Sequence, residues 1–260
     1  MKFTVLKYGV MDLAKNCLIE GETEEKTPIP IWGVLLQTDG HNVIYDLGCM
    51  EECMEKYWSE KQKIKDPFYA EPGGIDGQLA KVGLTVEDID TVIVSHLHSD
   101  HFGLITRFEH CDVYVPEEEW VVAMKAAFGS IEPRRTPMGP YYFRVMSAPV
   151  KKYHFVKAGE DFELFPGLKI VTLPGHTPNL LGMLVTTDSG KKYIFGSDAV
   201  YTPVNIGPPI TLPGILSNPD SYRASLEKAA KLAEKENAQI LYSHWMPFFE
   251  QLKKCPEWYE

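Results

Sequence analysis

A chain of 260 residues with 44% hydrophobic and 24% charged positions has the make-up of a globular protein with a sizeable core, and no window in it is apolar for long enough to cross a bilayer. Its formal net charge of -10 repels a phosphate backbone over most of the surface, so nucleic acid is not an expected partner. The five cysteines, odd in number and without a CxxC pair, fit reduced thiols; the opening MKFTVLKYGVMDLAK alternates like a strand rather than a secretory leader, and a cytoplasmic protein is expected.

In chain order, residues 2–8, 32–37 and 42–46 read as strands, EECMEKYWSEKQK and DGQLAKVG as helices, and DTVIVSH (90–96) as a buried strand. After HCDVYVP, a helix is expected from Pro116 to Phe128, with proline at its start and acidic residues in its first turn, where the helix macrodipole favours them. KKYHFVK, LKIVTLPG, LGMLVTT and KKYIFGSD read as strands, the last two joined by a turn at Asp188-Ser189-Gly190. A helix capped by Asn218, with Pro219 in its first position, carries Tyr222, Leu226, Ala229, Ala230 and Ala233 on one apolar face and ends near Asn237. QILYSH (239–244) is the final strand. Two strand-rich halves with helices outside predict two packed sheets between helical layers, and no linker or repeat divides residues 1–260 into more than one domain.

The chemistry concentrates in SHLHSDH (95–101), where an apolar strand ends and three imidazoles and a carboxylate follow within six positions. His96 and His98 can point to one side of an extended segment, while Asp100 and His101 follow at the bend and can address a second point nearby, so one loop can serve two ions. Three further candidates end later strands. His176 sits in the Pro/Gly-punctuated LPGHTP, where the backbone can bend to aim an imidazole. Asp198 closes KKYIFGSD, and its two oxygens can bridge two cations or simply cap a turn. His244 closes QILYSH. His41, His110 and His154 have no ligand-like neighbours and are assigned no role, whereas Cys49 and Cys53, at helical spacing, remain a minor candidate pair.

HLHSDH, LPGHTP, GSDAVY and YSH, in this order and across essentially the whole chain, resemble the metallo-β-lactamase superfamily. Tyr201, three residues after Asp198, and the compact length are similar to its N-acyl-homoserine lactonase and pyridoxolactonase branch. The resemblance implies an α/β fold, a four-layer αββα sandwich of two packed mixed β-sheets flanked by helices. It also implies two divalent metal ions, Zn(II) foremost with Fe, Mn or Co also compatible. His96, His98 and His176 would bind one ion, Asp100, His101 and His244 the other, with Asp198 bridging them. The family's DTG turn is matched by Asp46-Leu47-Gly48, with Leu47 departing from the pattern; Asp46 is then expected to orient a ligand histidine.

The implied reaction is ring opening of a small lactone by a hydroxide shared between the ions, with the Tyr201 phenol stabilising the oxyanion and Asp100 passing a proton to the leaving alkoxide. Other ester or thioester hydrolysis is the alternative, as is an iron-dependent oxidoreductase resembling persulfide dioxygenases. The substrate is expected to be a small apolar or aromatic lactone or ester, bound by residues 28–32, 120–150 and 204–216, with Arg134 and Arg135 as a possible anion contact. No membrane partner is expected, and homo-oligomerisation is left open.

Overall fold

The computed structural model describes residues 1–57, 60–128 and 139–260, without the side chains at 53, 57, 60–62, 139 and 140. Twelve strands among these residues form two sheets. The first contains β1 (Lys2–Ala14), β2 (Lys26–Thr38), β3 (His41–Tyr45), β4 (Phe68–Ala70), β5 (Thr91–Ile93), β6 (Asp112–Pro116) and β7 (Lys152–Val156), in the order β4-β1-β2-β3-β5-β6-β7. The second contains β8 (Phe162–Phe165), β9 (Leu168–Thr172), β10 (Leu181–Thr186), β11 (Lys192–Phe195) and β12 (Ala238–Leu241), in the order β12-β11-β10-β9-β8. Both are mixed. In the first, β3, β5, β6 and β7 are parallel and the rest antiparallel; in the second, only β11 and β12 are parallel.

Three apolar clusters explain the layering. Strand side chains alternate between faces, and Phe3, Val5, Val34 and Val43 of the first sheet meet Ile170, Met183, Val185 and Phe195 of the second in a core between the sheets. Leu6, Leu35, Ile44, Val92 and Val113 point the other way and bury Leu79, Ala123 and Val145 from outer helices. Val171, Leu184 and Ile194, on the far face of the second sheet, pack against Tyr222, Leu226 and Ala229 of the helix Pro219–Glu236. The result is helix, sheet, sheet, helix. That last helix has the expected cap, Asn218 accepting from the Ser221 amide at 2.9 Å, and it ends at Asn237 in the left-handed region.

One expectation needs correction. β1 and β2 are each 13 residues long, well beyond 2–8 and 32–37. Pro28 and Pro30 pair with Asp12 and Val10, in the half of β2 that has no ladder with β3, so their missing amides cost no hydrogen bond there. PYYFRVM, within the segment 120–150 expected near the substrate, lies in a helix, Gly139–Met146, whose Tyr141 and Val145 are buried and whose Tyr141 hydroxyl donates to the His98 carbonyl at 3.5 Å. Trp120 likewise packs on Tyr153 and Phe155. Arg134 and Arg135 lie outside the described residues, as does the side chain of Cys53. Among the described residues, no helix is long and apolar enough to cross a membrane.

Candidate metal centre

Strand direction gathers the site. β9 and β11 are both antiparallel to β10, and β12 is parallel to β11, so these three run the same way and their C-terminal ends share one edge. His176 follows β9, Asp198 lies in the turn Ser197–Ala199 after β11, and His244 follows β12. In the other sheet the parallel pair β3 and β5 delivers Asp46 from one and His96 and His98 from the other. Asp100 and His101 sit in the short helix Ser99–Phe102, which turns the chain away at the strand end. Leu97 is fully buried, and its side chain occupies the core while its neighbours His96 and His98 take the opposite side.

Seven side chains converge as two donor sets: His96, His98, His176 and Asp198, then Asp100, His101 and His244. In the first, His98 Nδ1 lies 2.9 Å from His96 Nε2 and 3.1 Å from His176 Nε2. Asp198 Oδ2 is 3.3 Å from His176 Nε2 and 3.7 Å from His96 Nε2. The other oxygen, Asp198 Oδ1, faces the second set, 3.3 Å from His101 Nε2 and 3.0 Å from His244 Nε2. Asp100 Oδ2 completes that set at 3.4 Å and 3.6 Å from the same two nitrogens. Cys49 is buried and belongs to neither set.

Four of the five imidazoles are aimed by their other nitrogen. His101 Nδ1 is 2.8 Å from Asp46 Oδ2, and Asp46 also accepts from the Ser95 amide at 2.7 Å and the Ser95 hydroxyl at 2.9 Å. Asp46 thus orients a histidine of the cluster, as its position in the DLG turn predicts. His244 Nδ1 donates to Pro30 O at 3.0 Å, His176 Nδ1 donates to Ile215 O at 3.2 Å, and Ser95 Oγ is 3.0 Å from His96 Nδ1. Such outer contacts fix the ring and its tautomer. Tyr201, 1% exposed, stacks on His244 and donates its hydroxyl to Asp198 Oδ2 at 3.2 Å.

The electrostatics differ between the sets. Burial lowers His96 well below the ordinary imidazole value and His176 to about 4, and it lowers His98 as well, so all three present neutral lone pairs. Burial also pulls His101 and His244 down, but Asp100, Asp198 and Asp46 around the first, and Asp198 and Asp100 around the second, raise both. Burial raises Asp198, yet His244 and His101 overcome it and hold the carboxyl well below its usual range.

These residues fit metal ions on two observations. His101 Nε2 and Asp198 Oδ1 are buried without a hydrogen-bond partner although 3.3 Å apart, a cost of about 1–3 kcal/mol per atom that a shared cation relieves. The donor spacings of 2.9–3.7 Å also bracket the ~3.3 Å edge that four ligands adopt around a tetrahedral zinc ion.

Glu119 departs from the macrodipole role that its first-turn position predicts. It is 4% exposed and turned inward, with Oε1 accepting from the Leu97 amide at 2.9 Å. Burial raises its carboxyl to about 8. The helix start is legible in the sequence, but nothing in EEEW marks which of three glutamates faces the core.

Residues 27–244 match the profile of the metallo-beta-lactamase superfamily. The chain is 27% identical to the N-acyl homoserine lactonase AiiB of Agrobacterium fabrum, over 98% of each chain. It is 24% identical to the N-acyl homoserine lactonase AiiA of Bacillus thuringiensis subsp. kurstaki, over 87% of this chain and 84% of that one. A solved N-acyl homoserine lactone hydrolase, with the product N-hexanoyl-L-homoserine at its catalytic metal centre, superposes with a TM-score of 0.84 at 20% identity, covering 99% of this chain and 98% of that one. The dizinc quorum-quenching lactonase AidC superposes at 0.68 and 17% identity, covering 93% and 88%. At these identities the structural likeness establishes the four-layer fold.

Proposed function

The chain belongs to the metallo-β-lactamase superfamily, and on that premise we propose that it is a lactonase, opening the ester ring of a small lactone at a centre that holds two divalent cations. The observation that carries this reading is the placement of Asp198, whose two oxygens face two separate donor sets. Metal-dependent hydrolysis of an ester bond is the activity of this chain, and the end-to-end likeness to lactonases supports the lactone as its substrate. His96 Nε2, His98 Nδ1, His176 Nε2 and Asp198 Oδ2 would hold one ion; Asp100, His101 Nε2, His244 Nε2 and Asp198 Oδ1 would hold the other. Nitrogen and oxygen donors at tetrahedral spacing favour Zn(II), with Fe, Mn and Co as competitors.

When bound, such ions supply Lewis acidity toward the ester carbonyl and ionise a water near neutral pH. The chain does the rest. Burial, reinforced by Asp198, raises the Tyr201 phenol well above its ordinary value, so it keeps its proton and serves as a donor to the oxyanion that develops on attack at the carbonyl carbon. Asp100 is the more exposed of the two carboxylates; burial raises it, but His101 and His244 outweigh this and lower it to about 2. It therefore stays ionised and is a weak base that would hold the proton of the attacking water only in passing, before the alkoxide takes it as the ring C–O bond breaks. A cavity of about 320 Å³ opens on His244; Leu18, Ile19, Val204 and Trp245 offer it an apolar wall for a substituent, and Lys15 and Glu22 line it as well.

The test is elemental analysis of the purified chain combined with a lactone panel assayed before and after chelation and Zn or Mn restoration. Two ions per chain and ring opening that chelation abolishes and metal restores are expected. One iron per chain, with no lactone turnover and oxygen consumption against a thiol or persulfide, would replace this reading by the oxidoreductase one.

The proton inventory gives a second expected result. His101 and His244 are raised above the ordinary imidazole value, so their protons must leave before either nitrogen binds an ion; affinity at that set rises with pH through the raised values and falls as pH drops below them. His96, His98 and His176 are lowered and need shed no proton at neutral pH. Dialysis at stepped pH with metal counting should therefore show one ion lost before the other on acidification. Simultaneous loss would contradict the assignment.

A further inference from the structure

Consecutive glutamates in the first turn of one outer helix, Glu117–Ala127, reach two different loops of the metal centre. Glu119 Oε1 accepts from the amide of Leu97, the residue between His96 and His98. Glu118 Oε2 accepts from Asn179 Nδ2 at 3.0 Å, and its two oxygens also take the Ala158 amide at 3.0 Å and 3.2 Å. Asn179 is fully buried and ends the short turn that carries His176. That turn is closed by the Gly175 amide donating to Thr177 O at 2.9 Å and by the Thr177 hydroxyl donating to Asn179 O at 2.6 Å.

The Leu97 amide lies beyond the end of β5, outside the sheet ladder, and a buried N–H without an acceptor is costly, so a side chain must supply one. A carboxyl placed there is itself an expensive choice. Glu119 Oε2 is buried and accepts no hydrogen bond, an arrangement that a stability requirement alone would not favour over a smaller acceptor. We infer that this first turn is a brace: Glu119 through Leu97, and Glu118 through Asn179, hold the two loops carrying His96, His98 and His176 at the mutual spacing that the three-imidazole set needs. Both are positioning residues, and the inference rests on the two-ion reading above.

Zn(II) titration of metal-free full-length chain against a chromophoric chelator tests it, with Glu119→Ala, Glu119→Gln and Glu118→Ala beside the wild type and hydrogen exchange followed at the Leu97 amide. The wild type should take two ions. Glu119→Ala should keep one at wild-type affinity and bind the other about 10–100-fold more weakly, the usual cost of losing a contact that orients a ligand. Its Leu97 amide should exchange faster. Glu119→Gln retains the Oε1 acceptor and should stay within about 3-fold of wild type, while Glu118→Ala weakens the same ion to a smaller extent. Should Glu119→Ala not fold, Glu118→Ala, at a half-buried position, carries the comparison. Two ions at wild-type affinity in folded alanine variants would overturn the brace, as would a glutamine variant that falls as far as alanine. A wild-type chain that takes fewer than two ions would overturn the two-ion reading first, and the brace with it.

Discussion

Asp198→Asn is expected to lower kcat/KM for lactone opening by about 10³-fold or more, since the several kcal/mol a metal supplies to the transition state convert at a factor of ten per ~1.4 kcal/mol. The substitution is nearly isosteric but removes one of two anionic oxygens, and both are in use. Oδ1 stands 3.3 Å and 3.0 Å from His101 and His244, while Oδ2 stands 3.3 Å from His176 and accepts from Tyr201 at 3.2 Å. An amide nitrogen on either side presents hydrogens where a cation should sit. The metal-free protein should respond too. The Asp198 carboxyl is held well below its ordinary value when folded, so it contributes stability that is present above the ordinary carboxylate range and lost as pH falls through the depressed folded value. A neutral amide cannot contribute this, and His101 and His244 then carry raised proton affinity with one counter-charge fewer. Steady-state kinetics with metal counting decides the matter: an asparagine variant that keeps two ions and most of its activity would remove Asp198 from the centre.

The sequence announces this site unevenly. HLHSDH is dense enough in imidazole and carboxylate to be read by itself, because four donors in six residues have no economical role in a core. His176, Asp198 and His244 are legible only as polar residues closing apolar strands. What makes them one site is that β9, β11 and β12 run in the same direction, a property of pairing through β10 that no local pattern encodes. The alternation of PIPIWGVLLQT is partly hidden by its prolines, which are tolerated because that half of β2 lacks a ladder on the β3 side. The three glutamates of EEEW illustrate the opposite limit. A helix start predicts acid at all three places, and only the packing decides that Glu119 turns inward to Leu97. The aromatic residues of PYYFRVM suggest a binding wall but do not say which of them faces the site: Tyr141 is buried with its hydroxyl on the His98 carbonyl, while Phe143 is exposed.

Gly175→Ala should be strongly destabilising, because it combines a backbone penalty with a collision beside a donor histidine. Gly175 has φ +133, a conformation that L side chains rarely adopt, and a Cβ built there would lie 2.3 Å from both Cα and N of Tyr222. Those are backbone atoms of the helix Pro219–Glu236, which cannot swing aside as a side chain does. The Gly175 carbonyl also accepts from the Ser217 and Asn218 amides at 2.8 Å and 3.0 Å, so the turn and the helix start are locked together. Relief must move His176, the next residue, or Tyr222, whose hydroxyl holds the carbonyl of Asp198. A strained conformation and an overpacked contact together cost about 3–5 kcal/mol, equivalent to a fall of about 10 °C in Tm for a chain of this size. Thermal unfolding with and without added Zn(II) checks this, and the variant should also lose the ion assigned to His96, His98 and His176. Gly190→Ala separates the two causes. Gly190 has φ +81 in the turn between β10 and β11 but meets nothing within 4 Å, so its alanine variant reports the conformational penalty alone, about 1 kcal/mol. If the two variants unfold at the same temperature, the close approach of helix and turn does not position His176, and the site must tolerate more movement at this loop than its spacing implies.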